Sequence, residues 1–236
     1  MNETIHPLRV RTALPACLLV CSALLVTGCG SDGGTKGPAS VATPAAPTGM
    51  SPTASPNPTG TGTRLTDDQA QRMALVQAAK VPWDKAAGTA TGAVAGSELV
   101  AIELRRYEGG ATASPAPSPG SPEWAAEVAG QNGTVHRVLV DAVSGSVLRS
   151  QAETDQDADD MRELTDRLTK AQVTPEQAVK TATGRKQGTV TDVHLDSEDN
   201  TLVWSVDLVN EQDWSKTAFD IDAASGEVLR EQVDKD

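Results

Sequence analysis

A nine-residue block occurs twice in this chain, as DAVSGSVLR at residues 141–149 and as DAASGEVLR at residues 222–230. In each copy the Asp and the Ser-Gly pair are typical of a tight turn, and the residues after them predict a short strand. A second pair of similar blocks lies upstream in the same order, AAGTATG at residues 86–92 and AVKTATG at residues 178–184. Two matched pairs in one order indicate an internal duplication.

Each copy predicts a helix followed by antiparallel strands. In the second copy Thr174 can cap a helix that has Pro175 at its first position, and Gly184 can end it. In the first copy residues 66–69 give a similar helix start, and Pro82 either interrupts that helix or begins a second one.

The strands alternate apolar and polar residues, so each should present one apolar face to a core. The apolar positions are Ile102, Leu104, Trp124, Ala126, Val128, Val138 and Val140 in the first copy, and Val193, Leu195, Trp204, Val206, Leu208, Phe219 and Ile221 in the second. A helix that covers one apolar sheet face makes a two-layer unit. We therefore expect Trp204 and Phe219 to be buried between the layers.

The predicted fold class is α+β, with two tandem modules, each a helix packed on a three- to four-stranded antiparallel sheet, after a disordered tether. The boundaries are a lipoprotein signal peptide at 1–28, the lipidated Cys29 and tether at 29–64, module 1 at 65–150 with an expanded loop at 108–122, a linking helix at 151–172, and module 2 at 173–236. The linking helix is predicted to begin near Asp157, with a narrow apolar stripe.

The N-terminus reads as an export signal. Arg9 and Arg11 precede an uncharged segment at residues 13–26 that would be about 21 Å long as a helix, shorter than a bilayer core of about 30 Å. VTGC at residues 26–29 resembles a bacterial lipobox, in which Cys29 carries palmitate-type acyl chains; an ordinary secretory signal is the alternative. Two or more chains anchor a protein stably. We expect localisation at the extracytoplasmic face of the cell membrane.

The tether at residues 30–63 consists of Gly, Ser, Thr, Pro and Ala with almost no large apolar side chain, which is typical of a disordered spacer. A similar low-complexity run occurs at residues 111–122, inside the first copy. It predicts an expanded surface loop.

A helix, three antiparallel strands and the closing D-A-x-S-G-x-V-L pattern resemble the PepSY domain, in tandem. Residues 173–233 match better, through the PEQA helix start and the ending at 222–229, whereas residues 65–149 depart by their loop and interrupted helix. The family occurs in propeptides of thermolysin-type metallopeptidases and in stand-alone exported bacterial proteins. The resemblance implies a non-enzymatic module that binds or regulates another envelope or secreted protein, with inhibition of a peptidase as one form.

Composition and motifs exclude several other functions. With 20 basic against 32 acidic residues, the formal charge is −12, which disfavours nucleic acid as a partner. The sequence has neither a serine nucleophile elbow nor a His-Glu-x-x-His motif, and His136 and His194 fall on different predicted strands. We expect no enzyme activity, no cofactor and no metal site.

Several residues keep two interpretations. The repeated Asp141 and Asp222 either contact a ligand or open their turns, and the turn residues around them favour the second role. Trp214, in the predicted loop 210–215, is either a partner-binding anchor or packs over its own strands. The polar residues Asp192, His194, Asp207 and Asp220 should share the open sheet face, which leaves a small-ligand or cation sensor as an alternative function. A structural envelope protein is a further alternative.

Overall fold

Two four-stranded antiparallel meanders supply the strands of the computed structural model, which describes residues 64–234. The elements in chain order are α1 (Asp67–Ala78), α2 (Trp83–Ala93), β1 (Glu98–Arg106), β2 (Pro122–Ala129), β3 (Val135–Asp141), β4 (Val147–Ala152), α3 (Ala158–Lys170), α4 (Pro175–Arg185), β5 (Thr189–Glu198), β6 (Thr201–Val209), β7 (Lys216–Asp222) and β8 (Val228–Asp234). The predicted α+β class, with helices on antiparallel strands, is confirmed. The predicted signal peptide, Cys29 and the tether up to residue 63 lie outside the described residues.

The two meanders share a single sheet. Its order is β4-β3-β2-β1-β5-β6-β7-β8, and the two halves join where β1 pairs antiparallel with β5. Ala101 lies opposite His194, and Ile102 lies opposite Val193. The sequence predicted the strands of each half but not this joining, which satisfies the edge that each meander would otherwise leave open.

The helix starts follow the sequence closely. Thr174 caps α4 through a reciprocal capping box with Gln177, and Thr66 caps α1 in the same way with Gln69. Pro82 begins a separate helix, α2, so α2 corresponds to α4 and α1 corresponds to α3. The alternative in which Pro82 begins a second helix is therefore confirmed, and the similar blocks at 86–92 and 178–184 lie in the equivalent helices α2 and α4.

The core lies between the sheet and the helices α2 and α4. Every strand position predicted to be apolar on one face is buried, including Trp204 and Phe219. The helices meet the sheet through small side chains, which allow a close approach; these are Ala86, Ala87, Ala90, Ala178 and Ala182.

One tryptophan in each half ties the chain just before a helix to the sheet. Trp124 Nε1 donates a hydrogen bond of 2.9 Å to the carbonyl oxygen of Val81, and Trp204 Nε1 donates one of 2.8 Å to that of Val173. Val81 lies two residues before α2 and Val173 lies two residues before α4. The repeated tryptophans therefore occupy equivalent positions with equivalent partners.

The repeated aspartates make equivalent turns. Asp141 Oδ1 accepts two bonds of 2.7 Å from the backbone N–H groups of residues 143 and 144, and Asp222 Oδ1 accepts bonds of 2.9 and 2.6 Å from residues 224 and 225. The bonds from residue 225 are the main reason that the pKa of Asp222 lies below its usual value. The glycine that follows in each turn has a positive φ, +77° at Gly145 and +79° at Gly226. This geometry confirms the turn interpretation of both aspartates.

The first helix of each half contacts its own half and also the other half. Leu164 of α3 packs with Val100 and Ala129 of the first half. A Cβ atom added at Gly133 would lie 2.1 Å from the carbonyl oxygen of Met161 in α3, so only glycine fits at this contact. In the reciprocal arrangement, Arg72 Nε of α1 donates a 3.0 Å bond to the carbonyl oxygen of Trp214. The predicted linking helix is therefore a packed element of the fold.

The two indole hydrogen bonds lead to a stability prediction. Trp124→Phe and Trp204→Phe should each lower the free energy of unfolding by about 1–3 kcal/mol, since each leaves a partly buried carbonyl without its donor. Urea unfolding followed by circular dichroism measures the effect. Trp83→Phe is the matched control, because the Trp83 indole makes no hydrogen bond within residues 64–234. Losses equal to that of the control would contradict a structural role for the two bonds.

Candidate functional site

The outer edge of β4 is covered at Leu148 by the chain itself. The connection between β1 and β2, residues 107–121, folds back over the sheet and is called here the β1–β2 loop. Thr112 and Ala113 donate backbone N–H bonds of 2.9 and 3.1 Å to the carbonyl oxygen of Leu148 in β4. The Leu148 side chain is only 4% exposed as a result.

A small apolar cluster holds the β1–β2 loop in place on the open face. Tyr107, Leu139 and Leu148 form this cluster, and Ala111 and Ala113 of the loop pack against it. The Tyr107 hydroxyl also accepts a 2.9 Å bond from the Ala111 backbone N–H. The sequence predicted an expanded loop at this place, but its composition gave no sign that it would cover a sheet edge.

The outer edge of β8 is open. Leu229 occupies the position of Leu148 in the repeated block, yet its side chain is 51% exposed. The reason is the connection between β5 and β6, a tight turn in which Asp199 and Asn200 have positive φ, so no loop reaches back. Val233 on the same strand is 40% exposed, and every residue of β8 keeps some contact with solvent.

The surface around Leu229 is charged. Arg230 forms an ion pair with the buried Asp220, which also accepts a 2.9 Å bond from the Ser205 hydroxyl. The Arg230 Nη2 atom lies 3.8 Å from the Glu198 Oε1 atom. The pKa of Arg230 is raised mainly by its hydrogen bond to Asp220. The register places Leu229 and Arg230 on the open face of β8, and Glu231 and Val233 on the opposite face.

The predicted open face does collect the acidic side chains. Asp192 lies opposite Asp207 on one side and Glu103 on the other. Lys216 Nζ donates a 2.9 Å bond to Asp207, and His194 Nδ1 bonds to Asp192. Burial is the largest cause that raises the pKa of Glu103 and of Asp207.

Acidic side chains of this face form ion pairs with basic side chains. Within residues 64–234 no group of three or more His, Cys, Asp or Glu side chains is arranged to hold a metal ion. The carboxylates of Asp192, Asp207 and Asp220 each have a basic partner in His194, Lys216 or Arg230. The sensor alternative stays a prediction.

Trp214 lies in the connection between β6 and β7, as predicted, but its side chain is only 9% exposed. Its backbone takes a positive φ of 58°, and its carbonyl is held by Arg72 of α1. This placement favours packing against the protein itself, and the partner-binding role of Trp214 stays a prediction. The proposed lipidation site, Cys29, is outside the described residues.

Leu229 was missed as a site residue by the sequence reasoning, although a signal existed. Both copies carry Leu before the final Arg of the repeated block, and the low-complexity loop occurs only in the first copy. The leucine is buried by a loop in the first copy and has no such loop in the second, so the exposed Leu229 side chain is a candidate for binding a partner.

The open face leads to a prediction about pH. Burial lowers the pKa of His194, but the hydrogen bond and charge of Asp192, with Asp196 and Asp207, outweigh it and leave that pKa raised. Protonation of His194 therefore stabilises the folded state. This stabilisation is complete below the unfolded pKa of about 6.5 and is lost as the pH rises through the higher folded pKa.

The measurement is urea unfolding of wild type and His194→Gln from about pH 5.5 to about pH 8.5, which brackets the ordinary histidine pKa. The stability difference should shrink as the pH rises, and His136→Gln on β3 is the matched control. A difference that stays constant or grows with pH would contradict the pairing with Asp192.

Comparison with known proteins bears mainly on the second half of the chain. No curated protein matches the chain. A crystal structure of a protein from Clostridium difficile 630, described as a candidate lipoprotein, is 18% identical and covers 66% of this chain and 95% of its own, with a TM-score of 0.39. Among the described helices, none has the length and apolar character that a membrane crossing requires. Residues 172–232, which hold α4 and most of the β5–β8 meander, match the family model described as the peptidase propeptide and YPEB domain, PepSY.

Proposed function

We propose that this chain is a non-enzymatic, extracytoplasmic regulator that binds an extended segment of another envelope or secreted protein along β8, and that the bound protein is a peptidase. The observation that carries this proposal is the difference between the two sheet edges. β4 is covered at Leu148 by the β1–β2 loop, whereas β8 exposes Leu229 and Val233 with no covering segment among residues 64–234.

An open strand edge is suited to this role. Its outward N–H and C=O groups can pair with an incoming strand, and the alternate side chains add specificity. Leu229 and Val233 supply apolar area to bury, and the acidic charge of the chain favours a segment that carries basic residues. The formal charge of −12 should speed the approach of a basic partner more than it tightens the complex.

The peptidase as partner rests on family analogy. The matched model is described as a peptidase propeptide domain, and propeptide modules act on a peptidase without catalysing a reaction themselves. We extend the same domain to residues 65–150 as a second copy. The support for this copy is the pair of equivalent indole bonds, from Trp124 and from Trp204, and the pair of equivalent aspartate turns.

The binding test uses purified secreted metallopeptidases of the thermolysin type and measures substrate hydrolysis with and without the chain. We expect inhibition by wild type and at least a tenfold weaker effect, about 1.4 kcal/mol, for the double variant Leu229→Asp/Val233→Asp. Val143→Asp is the matched control, because Val143 is equally exposed, at 50%, but lies in the turn between β3 and β4. Equal inhibition by wild type and the double variant would place the site elsewhere. If no peptidase responds and divalent cations raise the Tm, the sensor function would replace this proposal.

The proposed location is the membrane surface, through acylation of Cys29, with residues 30–63 as the spacer. Cys29→Ala should leave the precursor unprocessed or release the protein from the membrane, as measured by cell fractionation and intact mass. Cys21→Ala is the matched control, since Cys21 lies inside the apolar segment that precedes the proposed cleavage site. Membrane association and mass that do not change in Cys29→Ala would refute the anchor.

A further inference from the structure

The β1–β2 loop shows how this fold binds a bent backbone segment at the edge of its sheet. The loop places two consecutive backbone N–H groups, from Thr112 and Ala113, on the carbonyl oxygen of Leu148. The small side chains of Ala111 and Ala113 then pack on the cluster that contains the Leu148 side chain. The segment needs no large side chain for this contact, because its backbone supplies the donors and its small residues allow a close approach.

The β-bulge that binds the loop at Leu148 has an equivalent in the other half, at Leu229. The pairing of β3 with β4 shifts at Leu139/Val140, which leaves Leu148 as the extra residue of a β-bulge. The pairing of β7 with β8 shifts at Asp220/Ile221, which leaves Leu229 as the extra residue in the same place. Both leucines belong to the repeated block, but Leu148 is 4% exposed and Leu229 is 51% exposed.

We propose that the Leu229 bulge of β8 binds a partner segment that is bent at two consecutive donor residues, in the way that the Leu148 bulge binds residues 111–113. Two consecutive backbone N–H groups of the partner donate to the Leu229 carbonyl oxygen, and small side chains next to them cover the Leu229 side chain. This inference rests on the proposed function and specifies the class of segment that is bound.

The charges around Leu229 refine the partner. In the first half the β1–β2 loop packs on a surface that includes Tyr107 and Leu139, which are both buried. The corresponding surface in the second half carries Glu198 and the Asp220–Arg230 ion pair. The bound segment is therefore a run of Ala, Thr or Ser without proline at the two donor positions, flanked by Lys or Arg.

The probe is a fluorescently labelled peptide with the loop sequence of residues 109–114, GGATAS, and one lysine at each end. Its affinity for the full chain is measured by anisotropy. The comparison peptide carries proline in place of the residues that stand for Thr112 and Ala113, which removes both donors. Loss of two hydrogen bonds should weaken binding by at least about tenfold. Leu229→Asp in the protein should weaken it by a similar factor, whereas Val143→Asp should bind like wild type.

Several results would overturn the proposal. These are proline and parent peptides that bind within about twofold of each other, a loss in Val143→Asp equal to that in Leu229→Asp, or no binding of the parent peptide to wild type. A dimer that Leu229→Asp dissociates would assign the edge to a second copy of the chain and overturn it as well. The proposed function would survive any of these results if the peptidase assay still depended on Leu229 and Val233. Conversely, peptide binding at Leu229 with no effect on any peptidase would uphold this inference and leave the proposed function without support.

Discussion

The pairing of β1 with β5 is the constraint on which the rest of the structure depends. It joins two four-stranded meanders into one sheet, in which α2 covers one face of the first meander and α4 covers the same face of the second. Once the central edges are used in this way, only β4 and β8 remain at the outside. These two outer strands differ, because the loop covers β4 at Leu148 and no loop in the described part of the chain covers β8. The two ends of the sheet are therefore distinct, although the two halves are related by sequence duplication.

The periodic part of the fold was predictable from the sequence. The apolar alternation of the strands, the cap at Thr174 and the turns at Asp141 and Asp222 are local, and local patterns specify local geometry. The pairing of Ala101 with His194 was not predictable, because it joins residues 93 positions apart and both strands would be equally satisfied by another neighbour. The contacts of α1 and α3 with the opposite halves are non-local in the same sense.

The candidate site was only partly accessible for a different reason. A strand edge could be expected from any open sheet, but which edge stays open depends on where the β1–β2 loop comes to rest. That loop is rich in Pro, Ser and Ala, a composition that predicts a surface connection and carries no information about its contacts. Trp214 illustrates a residue for which the sequence left two interpretations open, a partner-binding anchor or packing over its own strands, and its side chain is only 9% exposed in the structure.

The contacts of the first helices with the opposite halves have a consequence for how the protein reaches its folded state. A chain is made from its N-terminus, so α1 exists long before the connection around Trp214 that Arg72 binds, and the first meander is complete before α3 is available to pack beside Gly133. The contacts between the two halves can therefore form only after the second half has been made. Because many contacts of the joined sheet are distant in sequence, we expect the whole sheet to form slowly for the size of the chain.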